Sequence, residues 1–155
     1  GRPRTPQEPR GYRVGYIDTE YRPYHSFGYG LGYTEISYSP VSLQKKEVVR
    51  TANAFDVLLA ASVTVTNTGK RRGTETVQLY LRDVSGSVVR PVRELKGFRK
   101  VTLDPGESRS VSFEITEAML RFWRADMTFG SEPGKFEVFI GADSTTENKA
   151  EFVLK

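Results

Sequence analysis

Residues Val63-Thr64-Val65-Thr66 alternate apolar and polar side chains, and the alternation stops at Asn67-Thr68-Gly69-Lys70-Arg71-Arg72-Gly73. A period of two puts one set of side chains on each face of an extended strand, and Asn, Gly and charge in succession make a turn. The pattern recurs along the chain and limits it to an all-β fold. Residues 76–82 set Val77, Leu79 and Leu81 against Thr76, Gln78 and Tyr80, which predicts one packed face and one wetter face. After Asp104-Pro105-Gly106-Glu107, where proline fixes one dihedral and glycine accepts conformations closed to other residues, Val111, Phe113 and Ile115 restore the alternation. Further strands are predicted over residues 31–43, 55–65, 88–95, 98–103, 136–140 and 150–154. In the first of these, Tyr33, Ile36, Tyr38, Val41 and Leu43 supply the packed faces. A brief helical turn over residues 116–120, with Thr116 as its cap, precedes Phe122-Trp123, and Glu132-Pro133-Gly134-Lys135 marks another turn. Short strands at this spacing predict a two-sheet sandwich rather than a helical or parallel α/β fold.

The chain's 155 residues suffice for one domain with its own core, and its 9 Phe and 8 Tyr supply large side chains to fill it. Residues 1–11 are dense in proline and charge, which disfavours a helix or central strand and predicts an extended connector. Residues 1–30 are accordingly assigned to an extended docking arm and residues 31–155 to the sandwich. Without cysteine the chain offers no disulfide and no thiolate metal or redox site, a composition compatible with cytoplasm or periplasm. No run approaches the roughly 18 apolar residues of a membrane span, and the opening Gly1-Arg2-Pro3-Arg4 lacks the apolar centre of a signal peptide.

A net charge of +4 raises the question of anionic partners. Arg82, Arg90, Arg93, Lys96, Arg99 and Lys100 concentrate in one segment, yet Leu81, Val88, Val89, Val92, Leu95 and Phe98 interleave with them as core-facing candidates. Nucleic-acid binding needs basic groups on one face with exposed aromatics, so none is expected.

Candidate chemistry is sparse. Asp18, Asp56, Asp83, Asp104, Asp126 and Asp143 are scattered and read as capping, structural or solvated groups, and they form no calcium-loop pattern. His25 is the only histidine and has no visible catalytic partner, so no metal centre and no cofactor are expected. Gly28, Gly30 and Gly32 superficially fit a phosphate loop but lack its strand-turn-helix setting; tight turns and close backbone approach account for them. Phe122, Trp123 and Phe129 fit either a carbohydrate-stacking platform or packing at a sandwich end or domain interface.

Several motifs in a fixed order carry a family resemblance. They are Gly28-Tyr29-Gly30-Leu31 with Tyr33-Thr34, Val63-Thr64-Val65-Thr66-Asn67-Thr68-Gly69, Arg90-Pro91-Val92-Arg93-Glu94-Leu95-Lys96-Gly97-Phe98, Leu103-Asp104-Pro105-Gly106-Glu107, and Glu132-Pro133-Gly134-Lys135-Phe136. Together they resemble the C-terminal fibronectin type III-like region of family 3 glycoside hydrolases, nearest in appearance to bacterial periplasmic β-glucosidases. Two positions depart from that pattern: Ser26 stands where the family has proline before Phe-Gly, and Gly32 where serine follows Gly-Leu. The resemblance implies a seven-strand, immunoglobulin-like sandwich of fibronectin type III type. It also implies preceding barrel and α/β domains, a periplasmic or secreted parent, and retaining hydrolysis by two carboxyl groups roughly 5–5.5 Å apart. Neither catalytic motif is found in the chain, so it is expected to be a noncatalytic part of a β-glucosidase-like enzyme that meets substrate only through the parent. A β-xylosidase parent and an independent protein-binding sandwich are the alternatives. Contacts with the preceding domains are expected from Tyr12, Tyr16, Tyr21, Tyr24, His25, Phe27, Tyr29, Arg90, Arg93 and Phe98. For the segment from Arg90 to Phe98, an internal strand and turn is the competing explanation.

Overall fold

A computed structural model describes residues 23–155 of the chain. Strand β4 (Val57–Asn67) is the axis of the first sheet. It pairs along its whole length with β7 (Ser108–Thr116) and on its other edge with the short β1 (Ile36–Tyr38) and β2 (Ser42–Leu43). In the second sheet the order is β3 (Glu47–Val48), β11 (Lys149–Leu154), β10 (Gly134–Gly141), β5 (Gly73–Asp83) and β6 (Glu94–Leu103). All of its pairings are antiparallel except β3 with β11. A one-turn helix, α1 (Glu117–Leu120), and a small hairpin of β8 (Phe122–Trp123) and β9 (Phe129–Gly130) close one end. The first edge of the chain, β1 to β3, changes from one sheet to the other. Counted as one strand with the six long ones, it makes the seven of the expected sandwich.

The core lies between the sheets and follows the period of two. Leu59, Ala61, Val63 and Val65 of β4 and Val111, Phe113 and Ile115 of β7 face Val77, Leu79 and Leu81 of β5 and Phe136, Val138 and Ile140 of β10. Phe136 and Phe152 are cross-strand partners and stack with ring centroids 5.4 Å apart. Such pairs contribute beyond the area they bury, and this one ties β11 to the sheet centre.

Several sequence expectations need correction. Residues 88–93 form a loop rather than a strand, and one continuous β6 covers Glu94–Leu103 through Gly97. Pro91 cannot donate to a ladder, whereas Gly97 sits in β6 over Phe113. Val89, Val92, Leu95 and Phe98, expected in the core, are exposed, as is Tyr33. The wetter face predicted for β5 is dry: Gln78 and Tyr80 are buried, because other segments cover the outer face of the sheet. Thr116 does occupy the cap position of α1, but its side chain makes no capping bond. Instead the first amides donate to backbone, Glu117 N to Asp56 O (3.0 Å) and Ala118 N to Ala54 O (2.8 Å). Near Glu132 to Lys135 the chain bends straight into β10 rather than turning.

At the far end of β4, Asn67 is fully buried. Its Oδ1 accepts from Thr34 Oγ1 (2.7 Å) and Gly69 N (3.0 Å), and its Nδ2 donates to Arg71 O (2.8 Å) and Leu103 O (3.0 Å). All four hydrogen-bonding positions of the side-chain amide are filled. Asn67→Ala would leave several of these groups without partners at roughly 1–3 kcal/mol each. The expected loss is about 3 kcal/mol, read from urea unfolding of the chain, with Asn67→Asp no better because a carboxylate cannot donate to the two carbonyls. A loss within 0–1 kcal/mol (about the worth of a single exposed contact) would contradict the role given to Asn67.

Candidate functional site

Residues 24–30 lie on the outer face of the second sheet and are held there by backbone rather than by their aromatic rings. Gln78 Nε2 donates to Gly28 O (2.9 Å) and also to Ala142 O, and Ser144 N donates to Phe27 O (2.9 Å). Gln78 is fixed in turn by the Tyr80 hydroxyl, which donates to its Oε1 (2.5 Å). Gly28 has φ +82°, and a Cβ there would come within 2.1 Å of Gln78 Oε1 and 2.7 Å of the Tyr80 hydroxyl. Of the three glycines in this turn, only Gly28 combines a left-handed backbone with a close approach; Gly30 has open space around it.

Because the backbone is the anchor, the rings remain outside. Tyr24 is 96% exposed, Phe27 66% and Tyr29 45%. His25 stacks on Tyr29 at 4.5 Å and meets Tyr24 edge-on at 4.7 Å, which lines the three rings up. Phe98 pairs directly across the ladder from Gln78, so its side chain lies on the same sheet face as the seat of the arm. It is 60% exposed. The arm and Phe98 thus lie on one sheet face, while Tyr12, Tyr16 and Tyr21 lie outside the described residues.

The arginines behave differently. Arg90 stacks its guanidinium over Phe122 at 4.4 Å and pairs with Glu94 at 2.6 Å; Arg93 stacks over Phe139 at 4.0 Å and donates to Thr146 O at 2.7 Å. Both side chains are mostly buried. Arg93 thereby covers the outer face of β10, while Arg90 covers the hairpin ring of Phe122. Beside Arg93, Glu137 is buried between Arg82 (3.2 Å) and Lys149.

Phe122 is buried under Arg90, whereas Trp123 and Phe129 are exposed, with centroids 5.3 Å apart and planes at 55°. The two rings do not form a single flat platform. Asp126 shapes their hairpin by accepting from Thr128 N and Oγ1, and Asp143 does the same for Thr145. Asp56 accepts from Asn53, Asp83 from Ser85 N, and Asp104 pairs with Arg72 at 3.5 Å. Asp18 lies outside the described residues. Sequence reasoning missed a polar cleft behind the hairpin, lined by Arg50, Glu117, Arg121 and Arg124 among others. Its one signal was Glu117, an acid set between the core residues Ile115 and Leu120.

The fibronectin type III-like domain pattern matches residues 75–144. A periplasmic β-glucosidase of Salmonella typhimurium is 47% identical over 154 residues, which is 99% of this chain and 20% of that protein. A β-xylosidase of Formosa agariphila is 38% identical over 73% of this chain and 16% of its own length. Among solved structures, the β-glucosidase of Listeria innocua superposes with a TM-score of 0.83 at 36% identity, over 99% of this chain and 21% of that one. The chain therefore spans about a fifth of the length of the relatives it matches. Among the described residues, no helix is long and apolar enough to cross a membrane.

Asp143 links the arm to the sheet. Burial acts to raise its carboxyl, but hydrogen bonds from the Thr145 side chain and amide and from Ser26, with the charge of Arg93, outweigh it and hold the group below its ordinary value. A carboxylate depressed on folding stabilises above its unfolded value of about 3.9, and that contribution disappears as pH falls through the lower folded value. Asp143→Asn should therefore lower the urea midpoint at pH 5–7, and the gap to the parent chain should close on acidification below about pH 4. A gap that stays constant or widens in acid would contradict this assignment.

Proposed function

We propose, for a chain that belongs to the fibronectin type III-like domains of family 3 glycoside hydrolases, that it serves as a noncatalytic docking and stabilising domain of a β-glucosidase-like enzyme. The carrying observation is the arm. Two segments hold its backbone down, β5 through Gln78 and the loop after β10 through Ser144, while Tyr24, Phe27 and Tyr29 stay exposed on the sheet face that also carries Phe98. The backbone contacts serve the sandwich itself but do not call for exposed rings; an aromatic strip on a backbone already held lowers the ordering cost of docking on a neighbour. The four-fifths of the relatives' length that this chain does not match supplies that neighbour, and the preceding barrel and α/β domains are the partners inferred.

Catalysis is assigned to the rest of the enzyme. The carboxylates described above are committed to turns and ion pairs, and none is placed with a second across an open pocket as retaining hydrolysis requires. The periplasmic β-glucosidase relative supports removal of terminal β-linked glucose by a periplasmic or secreted parent. The β-xylosidase relative keeps xyloside hydrolysis as the second reading, separated by assaying the full-length enzyme on matched aryl β-glucoside and β-xyloside.

Comparing hydrogen exchange in the full-length enzyme and in this chain tests the docking face. The amides of residues 24–33 and around Phe98 should exchange at least tenfold more slowly in the enzyme; equal protection in both would refute the face. The purified chain should hydrolyse neither aryl glycoside above a blank, and turnover abolished by replacing one of its own acids would overturn the noncatalytic assignment.

A further inference from the structure

The cleft missed by sequence lies at the other end of β4 from Asn67. Its volume is about 380 Å³, and its walls are Arg50-Thr51-Ala52 after β3, Glu117 and Arg121 of the α1 region, and Arg124, Phe129, Gly130 and Ser131 of the hairpin. Each arginine is held by backbone carbonyls through one terminal nitrogen: Arg50 on Ser131 O (3.2 Å), Arg121 on Thr51 O and Ala52 O (3.4 and 2.8 Å), Arg124 on Ser131 O (2.5 Å). Among the described residues, the second terminal nitrogen of each has no hydrogen-bond partner. Glu117, the only acid lining the cleft, is 2% exposed and already accepts from Ser131 Oγ and Thr51 N, with Arg121 Nε at 3.7 Å. Glu132 stands outside the lining, 3.8 Å from Arg124 Nε. Arg121 is thus paired with Glu117 and Arg124 with Glu132, which leaves Arg50 as the guanidinium of the lining without a carboxylate partner among the described residues.

We propose that this cleft binds the carboxylate of an acidic sugar, a free hexuronate or the terminal uronate of an oligosaccharide. Guanidiniums pre-positioned by carbonyls match a carboxylate in geometry and charge and lose little freedom on binding it. The sugar ring follows from the aromatic wall. Phe129 lines the cleft and Trp123 stands beside it, both exposed, offering apolar faces to the C–H face of a pyranose. A lone aspartate or glutamate side chain would leave most of 380 Å³ to water, whereas a ring carrying a carboxylate uses both walls; the volume sits at the small end of the usual ligand range of roughly 300–1000 Å³. The site is separate from the docking arm, so either reading can fail without the other.

Trp123 is the only tryptophan of the chain, so its fluorescence reports on the rim of the cleft. Titrating the chain with sodium glucuronate at fixed ionic strength should give a saturable change, with glucose at least tenfold weaker and acetate without effect at matched concentration. Arg50→Gln should weaken glucuronate about tenfold or more, the effect of losing one charged contact; it leaves the Thr51 and Ala52 carbonyls paired with Arg121 and so spares the local fold. Phe129→Ala should also weaken it while thermal unfolding of the chain stays cooperative. No saturable change with glucuronate would overturn the proposal, as would acetate matching it or Arg50→Gln binding like the parent. An equal response to N-acetylglutamate amide, or an unaltered affinity in Phe129→Ala, would replace the sugar with an acidic protein side chain.

Discussion

The side chain of Asn67 ties the end of the first sheet to the end of the second, a link that no strand pairing makes. It fastens the lead into β1, the turn between β4 and β5, and the last carbonyl of β6, while its backbone receives Gly106 N and donates to Glu107 O in the turn that opens β7. A sandwich has two sheets and few covalent reasons for them to meet in one register. Apolar packing is nearly indifferent to small slips, whereas a buried amide with four partners is satisfied in a single arrangement. The lead into β1, the turn after β4 and the end of β6 are all held by it.

The second sheet meets a different constraint. Its inner face packs on the first sheet, and its outer face carries Gln78, Tyr80, Glu137 and Phe139, all buried although no third sheet covers them. Arg93 roofs Phe139, Arg82 and Lys149 enclose Glu137, and the Gly28 turn seals Gln78 and Tyr80. Burial pushes the Tyr80 hydroxyl above its ordinary value, Asp143 adds to this and Arg93 opposes it, so the phenol stays protonated and serves as a donor to Gln78. The arm is thus part of the fold as much as a connector.

Much of this was legible in the residues, for an identifiable reason. In β4, β5 and β7 the inward positions are apolar and the period of two is unbroken, so both sheets and the axis of the core could be read directly. Val88 to Val92 misled because β-branched residues favour strands only where a ladder can be completed, and Pro91 together with the crossing to Arg93 prevents it. Arg90 and Arg93 were named as interdomain contacts on the family resemblance; their stacking on Phe122 and Phe139 depends on rings 32 and 46 residues away, which no local pattern encodes. The aromatic arm was found because its glycines are adjacent in sequence. The cleft was not, since Arg50, Glu117 and Arg124 converge only after β3, β7 and the hairpin reach the same end of the sandwich.

That end of the molecule shows how a sandwich gathers polar side chains outside its core. The long strands lend their inward side chains to the core, and the roof uses much of the outward set of the second sheet, so free polar groups gather where strands start and stop. Arg50, Arg121 and Arg124 come from three such places, and each is anchored on carbonyls that lie outside the long ladders. Those carbonyls need donors wherever water is excluded, and arginine answers that need with one nitrogen while keeping others for a ligand. The same structural demand therefore supplies both the closure of the sandwich end and a preformed arginine-lined cleft. A sandwich end closed in this way carries the second property without separate provision for it.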